Sequence, residues 1–174
     1  MAEAAFVMPI FFAMVFAAAE YGLMYAAQST VAQSVRSGAR YGSANYAIAG
    51  NQAVAADATR DKVVNDLRAR NRNDLPVELL IYKATSSGTP ESGDFANCGT
   101  RCLRYVWNGF TYAYVSGTWT DPDACGANLD SVGVYATPQH KYVTGVFGDQ
   151  TTIAFHSVMR LEPLPVQQCP IGAS

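Results

Sequence analysis

The N-terminal segment of the chain is almost wholly apolar, yet it contains two carboxylates, Glu3 and Glu20, and a proline, Pro9. From residue 4 to residue 35, Glu20 is the single charged residue, and all twelve Lys and Arg occur at Arg36 or later. Residues 4–27 provide 24 positions with one charge, and a transmembrane helix needs about 20 apolar residues. This segment is therefore suited to a different solvent than the rest of the chain.

The helical pattern continues beyond the apolar segment, to about residue 43. Ala, Met, Phe and Leu favour helix up to residue 27. From residue 28 the pattern becomes amphipathic, with Val31, Val35 and Ala39 on one face. A helix of about 40 residues is about 60 Å long, twice the hydrocarbon thickness of a bilayer. We expect one half in lipid and the other half in water or packed on a domain.

The rest of the chain predicts a small head domain, which gives an α+β fold. A second amphipathic helix is expected over about 52–70, stopped by Pro76. About five strands are expected in one antiparallel sheet, with the amphipathic part of the first helix on one face. The hairpin signal Asn108-Gly109 divides one strand-like stretch in two. The strand-like stretches are 77–84, 102–119, 131–137 and 150–163. The predicted division is residues 1–43 for the helix and 44–174 for the head.

An even number of cysteines in an exported domain indicates two disulfides, with three possible pairings. The alternative is a zinc site, but a C-x3-C spacing differs from the usual C-x2-C, and His140 and His156 are not spaced as a ligand pair. Disulfides are therefore favoured. The four cysteines all lie in the polar part of the chain: Cys98, Cys102, Cys125 and Cys169.

The composition and motifs argue against catalysis and nucleic-acid binding. The net charge is −2 and no basic footprint is present. G-x-S-x-G, H-E-x-x-H and P-loop motifs do not occur. His140 is expected in a loop and His156 in a strand. Asp121 and Asp123 resemble the start of a calcium loop, but Cys125 replaces the third ligand. We expect neither an enzyme nor a bound cofactor.

An aromatic cluster in and after the predicted hairpin leaves two interpretations open. Such alternation usually packs a hairpin with one wet face, but it could also form a surface for a sugar or a partner. The cluster comprises Tyr105, Trp107, Phe110, Tyr112, Tyr114 and Trp119.

Three interpretations compete for the N-terminal segment: a cleaved signal peptide, a plain membrane anchor, and a helix that packs against its own copies. Residues 16–19 resemble a cleavage site, but Glu3 stands where a signal peptide is positive, and the helical pattern runs through the site. Glu20 would be costly in lipid, so a partner is expected for it. Ala18, Gly22 and Ala26 form a small-xxx-small line, which favours contact between helices.

Three sequence elements in this order resemble the N-terminal helix of the TadE-like pilins, from the tight-adherence branch of type IV pili, and the last predicted strand, "HSVMRLEP", resembles their C-terminal end. In that family a carboxylate precedes a proline by six residues, and a Glu followed by an aromatic residue and Gly comes about eleven residues later. The matching elements are Glu3-Ala-Ala-Phe-Val-Met-Pro9, Glu20-Tyr21-Gly22 and Val35-Arg36-Ser-Gly38-Ala39-Arg40-Tyr41-Gly42.

The resemblance implies a structural subunit that is inserted in the inner membrane, trimmed by a prepilin peptidase and stacked by the pilus assembly machinery into an extracellular homo-oligomeric filament. A minor pilin that primes or tips the filament is an alternative, as is a single-span surface binding protein. Trimming removes a short basic leader ending in Gly. The sequence begins without such a leader, so we expect it to be the processed form.

The resemblance also assigns roles in subunit assembly to Glu3, Pro9, Glu20, Gly22, Arg36 and Arg40. Glu3 is expected to pair with a neighbour's α-amino group, which would relieve a buried charge and set the register, although it is third here whereas many type IV pilins have it fifth. Pro9 removes one backbone donor and loosens the helix. Arg36 and Arg40 either form a solvated face or pair with Glu20 or Glu3 of another subunit.

Overall fold

The computed structural model of the protein describes residues 2–48, 52–70, 76–125, 128–145 and 148–169. These residues form two helices and six strands, followed by a short 3-10 helix at Val166–Gln168. The elements are α1 (Ala2–Asn45), α2 (Gln52–Ala69), β1 (Pro76–Lys83), β2 (Cys102–Trp107), β3 (Tyr112–Ser116), β4 (Ser131–Lys141), β5 (Gln150–Thr152) and β6 (Phe155–Arg160). The predicted α+β fold with a long N-terminal helix is confirmed.

Helix α1 is one uninterrupted element of 44 residues that includes Pro9. We call residues 6–19 its free half and residues 20–45 its docked half, because the burial of its side chains changes at Glu20. In the docked half buried residues recur every three or four positions, which places them on one face. They include Glu20, Ala27, Val31, Val35 and Ala39, so the predicted amphipathic face is confirmed.

Helix α2 packs antiparallel to the docked half at very short range. A Cβ added to Gly38 would overlap the Val63 side chain, and a Cβ on Gly42 would lie 3.3 Å from the Thr59 hydroxyl. Glycine at these positions therefore lets the two helices approach closely. The predicted extent of α2 is confirmed, and Val54, which is 58% exposed, lies outside its buried stripe. That stripe consists of Ala55, Ala56, Thr59, Val63, Val64 and Leu67.

The sheet is antiparallel, in the order β3-β2-β1-β4-β5, with β6 also paired to β4. Leu80 is the register partner of Arg104 on β2 and of Tyr135 on β4. One face of the sheet contributes Leu79, Ile81 and neighbouring side chains to the main core with α1 and α2. The other face is covered by the loop after β1, where the Phe95 ring stacks on Tyr135 at 4.3 Å.

The single strand predicted at 150–163 is wrong, because the structure divides it into β5 and β6. Both pair with β4, and they separate opposite Pro138. The Pro138 carbonyl accepts the Ile153 N–H at 2.9 Å, but a proline has no N–H to return to the same neighbour. The ladder therefore loses a hydrogen bond where the strand breaks.

Strand β4 extends four residues beyond its predicted end at 137. As a consequence, the prediction that His140 lies in a loop is wrong. His140 is on β4, 5% exposed, with its ring edge-on to Tyr142 at 5.7 Å. The extension matters for function, because it carries the β4–β5 turn beyond Pro76, the first residue of β1.

Both predicted disulfides are present. Cys98 bonds to Cys102, and Cys125 bonds to Cys169. The first joins the loop after β1 to the start of β2, and the second ties the C-terminal segment to the loop before β4. Because all four sulfurs are in disulfides, the zinc alternative is not supported.

Candidate functional site

The free half of α1 is an apolar rod that the head does not cover. Its large side chains are between 46% and 78% exposed on every side of the helix. Among the described residues, α1 is the one helix long and apolar enough to cross a bilayer, and almost none of its apolar window is buried. The exposed side chains are Phe6, Val7, Met8, Ile10, Phe11, Phe12, Met14, Val15 and Phe16.

Two of the predicted assembly residues lie in or beside this half. Pro9 is inside the helix, where it withholds one backbone donor from the preceding turn. The backbone of Glu3 is helical, but its side chain lies outside the described residues, so its predicted pairing stays a prediction.

Glu20 is held by the head of its own chain. Its carboxylate is 2% exposed and accepts the backbone N–H of Val143 at 2.5 Å and of Thr144 at 3.3 Å. Two such charge-assisted hydrogen bonds offset much of the cost of burying the charge. The partner expected for Glu20 is thus available within one subunit, in the turn between β4 and β5.

The small-residue line is on the opposite side of the helix from Glu20. Residues two apart are separated by about 200° around an α-helix, so Ala18 and Gly22 point away from the Glu20 face. Both are exposed, and a Cβ on Gly22 would meet nothing within 4 Å. Glu20 and this line therefore do not share one contact face, and the two features serve different surfaces.

Arg36 and Arg40 lie on the exposed side of the docked half. Together with Ser37 and Met159 they line an open groove of about 330 Å³. No ion pair joins either arginine to a carboxylate among the described residues. Their predicted pairing with a carboxylate of another subunit therefore stays a prediction.

The carboxylates of the calcium-like loop are bound to protein groups. Asp121 accepts hydrogen bonds from the Arg101 guanidinium, which lowers the pKa of Asp121. Asp130 pairs with Lys83 at 2.8 Å, and Asp123 accepts a backbone N–H two residues further on at 3.0 Å. Among the described residues no group of three potential ligands that could hold a metal ion occurs.

Most of the aromatic cluster packs inside the head. Tyr105, Tyr112 and Trp119 are at most 3% exposed, and burial raises the pKa of Tyr105 well above its ordinary value. Phe110 and Tyr114 remain exposed. Hairpin packing is therefore the main role of the cluster, although a cavity of about 330 Å³ remains beside Tyr114, lined by Asp57, Tyr105 and Trp119 among others.

Sequence reasoning missed the contribution of Val143 and Thr144. Their backbone N–H groups, rather than their side chains, donate to Glu20, so the identity of the side chains gave no direct signal. An indirect signal was present, since the stretch between β4 and β5 contains Val143, Val146 and Phe147, which are unusual residues for a turn.

The N-terminal 40 residues match the family model of the TadE-like proteins. No curated protein matches the chain, and no solved structure matches it. The match covers most of α1 and includes Glu3, Pro9, Glu20, Gly22 and Arg36. It confirms the resemblance noted for the N-terminal helix and relates the protein to the Tad pilus machinery, whereas the resemblance noted for the last strand stays a prediction. With the apolar helix, it indicates a membrane-anchored or pilus-associated protein.

Proposed function

We propose that the protein is a structural subunit of an extracellular Tad-type pilus filament. The observation that carries this proposal is the exposed free half of α1 within a TadE-like segment. An apolar surface of this size needs a partner in water. In the filament, that partner is the same helix of neighbouring subunits, and the head faces the solvent.

The two sides of the helix support this packing. The exposed line of Ala18, Gly22 and Ala26 allows backbones to approach, as small residues do in other helix bundles. Glu20 on the opposite side is already bound to the head. The docked half thus orients the head, and the free half remains available to other subunits.

Glu3 and the arginine groove supply the electrostatic part of the proposal. Because Glu20 is engaged within its own chain, Glu3 is the acidic residue of α1 left for pairing between subunits. Its partner is a neighbour's α-amino group or the groove of Arg36 and Arg40. A buried pair of this kind fixes register, because each charge is costly without the other.

Before assembly, the subunit resides in the inner membrane through the free half of α1. Its partners at that stage are a prepilin peptidase and the pilus assembly machinery, followed by further copies of itself. The role is structural, and we propose neither catalysis nor a cofactor for it.

Electron microscopy of sheared surface material tests the proposal. The chain should be the repeating mass of a thin fibre, identified by immunogold labelling and mass spectrometry. Glu3→Ala should abolish the fibres while the head keeps its disulfides and its thermal unfolding. Glu162→Ala is the matched control, because it removes an exposed carboxylate of the head. Normal fibres from the Glu3→Ala chain would contradict the proposal.

Two alternatives give different outcomes in the same experiment. A minor pilin would appear at a low, fixed ratio to another subunit. A single-span surface binding protein would remain at the cell surface without any fibre and regardless of Glu3. The cavity beside Tyr114 is the feature that favours the second alternative.

A further inference from the structure

Strand β4 runs beside the docked half of α1 along its whole length. Val132, near the start of β4, packs beside Gly42, and Val143, just after its end, bonds to Glu20. The 11 residues of extended chain span about 36 Å. The 22 residues of helix span about 33 Å. The agreement shows that β4 lies antiparallel to α1 and that its turn is level with Glu20.

The turn also projects beyond the start of β1 toward the free half. Strand β1 begins at Pro76, opposite Pro138. Beyond that pair, residues Gln139–Lys141 bond only to β5 in the described sheet. Three further residues of β4 add about 10 Å. The β4–β5 turn therefore extends past the start of β1 and begins beside Glu20.

This position limits how deep α1 can enter a membrane. Irregular backbone exposed to hydrocarbon leaves polar groups unsatisfied, at several kcal/mol each. The backbone of the turn therefore cannot enter the hydrocarbon region. Glu20 cannot enter that region either unless its hydrogen bonds to the turn break. As long as the two are bonded, the hydrocarbon boundary lies at Glu20.

The residues around this boundary are of types that occur at the depth of the lipid headgroups. Tyr21 and Tyr25 are 65% and 72% exposed, and tyrosine is enriched where a membrane meets water. The side chain of Val143 is 75% exposed, although it belongs to a turn. Tyr25 lies about 7 Å above Glu20 along the helix, within the depth of the interfacial layer.

We propose that Val143 and Thr144, at the start of the β4–β5 turn, form with Tyr21 and Tyr25 a membrane-seating surface that holds the head against the phospholipid interface before assembly. It places residues 4–19 in hydrocarbon rather than residues 4–27, a length of about 24 Å that a bilayer core of about 30 Å accommodates by thinning locally. Glu3 and Glu20 then mark the two boundaries of the span. This inference rests on the membrane stage of the proposed function.

Depth-dependent quenching in vesicles tests the seating surface. The full chain is reconstituted at a low protein-to-lipid ratio in phosphatidylethanolamine and phosphatidylglycerol. An NBD dye is attached, without reduction of the disulfides, to V143C, to S86C at the other end of the sheet, or to A13C in the free half. The dye at Val143 should be blue-shifted and quenched at least about two-fold more by lipid spin-labelled near the headgroup than by lipid labelled deep in the chain. The dye at Ser86 should show neither effect.

Each other outcome has a distinct meaning. If the dye at Ala13 is quenched by the deep label while the dye at Val143 behaves like that at Ser86, the chain inserts but the seating surface is refuted. If no deep label quenches the dye at Ala13, the chain does not insert, and the membrane stage of the proposed function fails as well. A blue shift at Val143 that grows with protein density would assign the surface to a second copy and overturn the proposal.

Discussion

The two halves of α1 are continuous in backbone but opposite in environment. The docked half buries one face, and residues such as Val35 and Ala39 are fully inaccessible. The free half exposes its large side chains on all sides, as Phe6 does at 78%. The change occurs at Glu20, where the head offers backbone N–H groups rather than apolar contacts.

This difference shows that hydrophobicity alone does not decide which part of a helix packs within its own chain. The docked half has small residues such as Gly38 and Gly42, which let α2 and the sheet approach. The free half has larger residues, and no described part of the head reaches them. When the head folds, it therefore buries only the docked half of the helix, whose residues fit against it.

The largest expected effect is that of Val35→Asp in the docked half. Val35 is fully buried in the main core, and an unpaired charge there should cost about 3–5 kcal/mol. We expect the free energy of unfolding of the head, measured by denaturant titration in detergent, to fall by that amount or the head to be unfolded. Gln33→Asp, at an exposed position of the same half, should change it by less than about 0.5 kcal/mol.

The converse substitution in the free half is Phe12→Asp. Phe12 is 51% exposed, so the denaturant midpoint of the head should stay that of the natural chain while insertion into vesicles and fibre formation are lost. A destabilised head in this variant would show that the two halves are not independent.

The second-largest expected change in stability comes from comparing two glycines of α1. Gly38→Val should force α1 and α2 apart and cost about 1–3 kcal/mol, because the added methyl groups meet Val63. Gly22→Val meets nothing in its own chain and should leave the melting temperature of the head unchanged while weakening fibre assembly. Equal destabilisation by both variants would contradict the division of the helix.

Much of this division was predictable from periodicity. The helical pattern gave the C-terminal end of α1 to within two residues, and the amphipathic face of Val31, Val35 and Ala39 was identified correctly. Helix α2 and the α+β class were also predicted, since these depend on local pattern. The family resemblance of the first 40 residues was likewise apparent from the order and spacing of its motifs.

What could not be predicted depends on contacts between distant residues. The partner of Glu20 is 123 residues away and is a backbone group, so no side chain pointed to it. The split between β5 and β6 depends on which neighbour Pro138 faces in the sheet. The disulfide pairing likewise required the fold, because sequence allowed three arrangements.

The third prediction weakens the contact at the junction of the two halves. Glu20→Ala removes the acceptor of the Val143 and Thr144 N–H groups, which should cost about 1–2 kcal/mol locally. Hydrogen exchange of those two amides should accelerate at least about ten-fold, while amides of β1 keep their protection. Glu20→Gln should restore part of the protection, since its amide oxygen still accepts an N–H. Unchanged exchange in Glu20→Ala would show that the contact does not hold the turn.

The smallest expected effect concerns the pH dependence of stability that Asp66 of α2 contributes through its contact with the docked half. Burial alone would raise the pKa of Asp66, but hydrogen bonds from Ser37 of α1 and from Lys62, with the charges of Lys62 and Arg70, together lower it below its ordinary value of 3.8. A lowered pKa in the folded state means that the contribution to stability is complete above the unfolded value and is lost as pH falls through the folded one.

Asp66→Asn should therefore reduce the free energy of unfolding by about 0.5 kcal/mol at neutral pH. The difference from the natural chain should begin to shrink as pH falls through 3.8, the ordinary value of the group, and should close only below the lowered pKa of the folded state, where both side chains are uncharged. Denaturant titrations across this range measure it, with Asp61→Asn on the exposed side of α2 as the control. A difference that persists in acid would assign the effect to the shape of the side chain rather than to its charge, and the ionised contact between α1 and α2 would not contribute to docking.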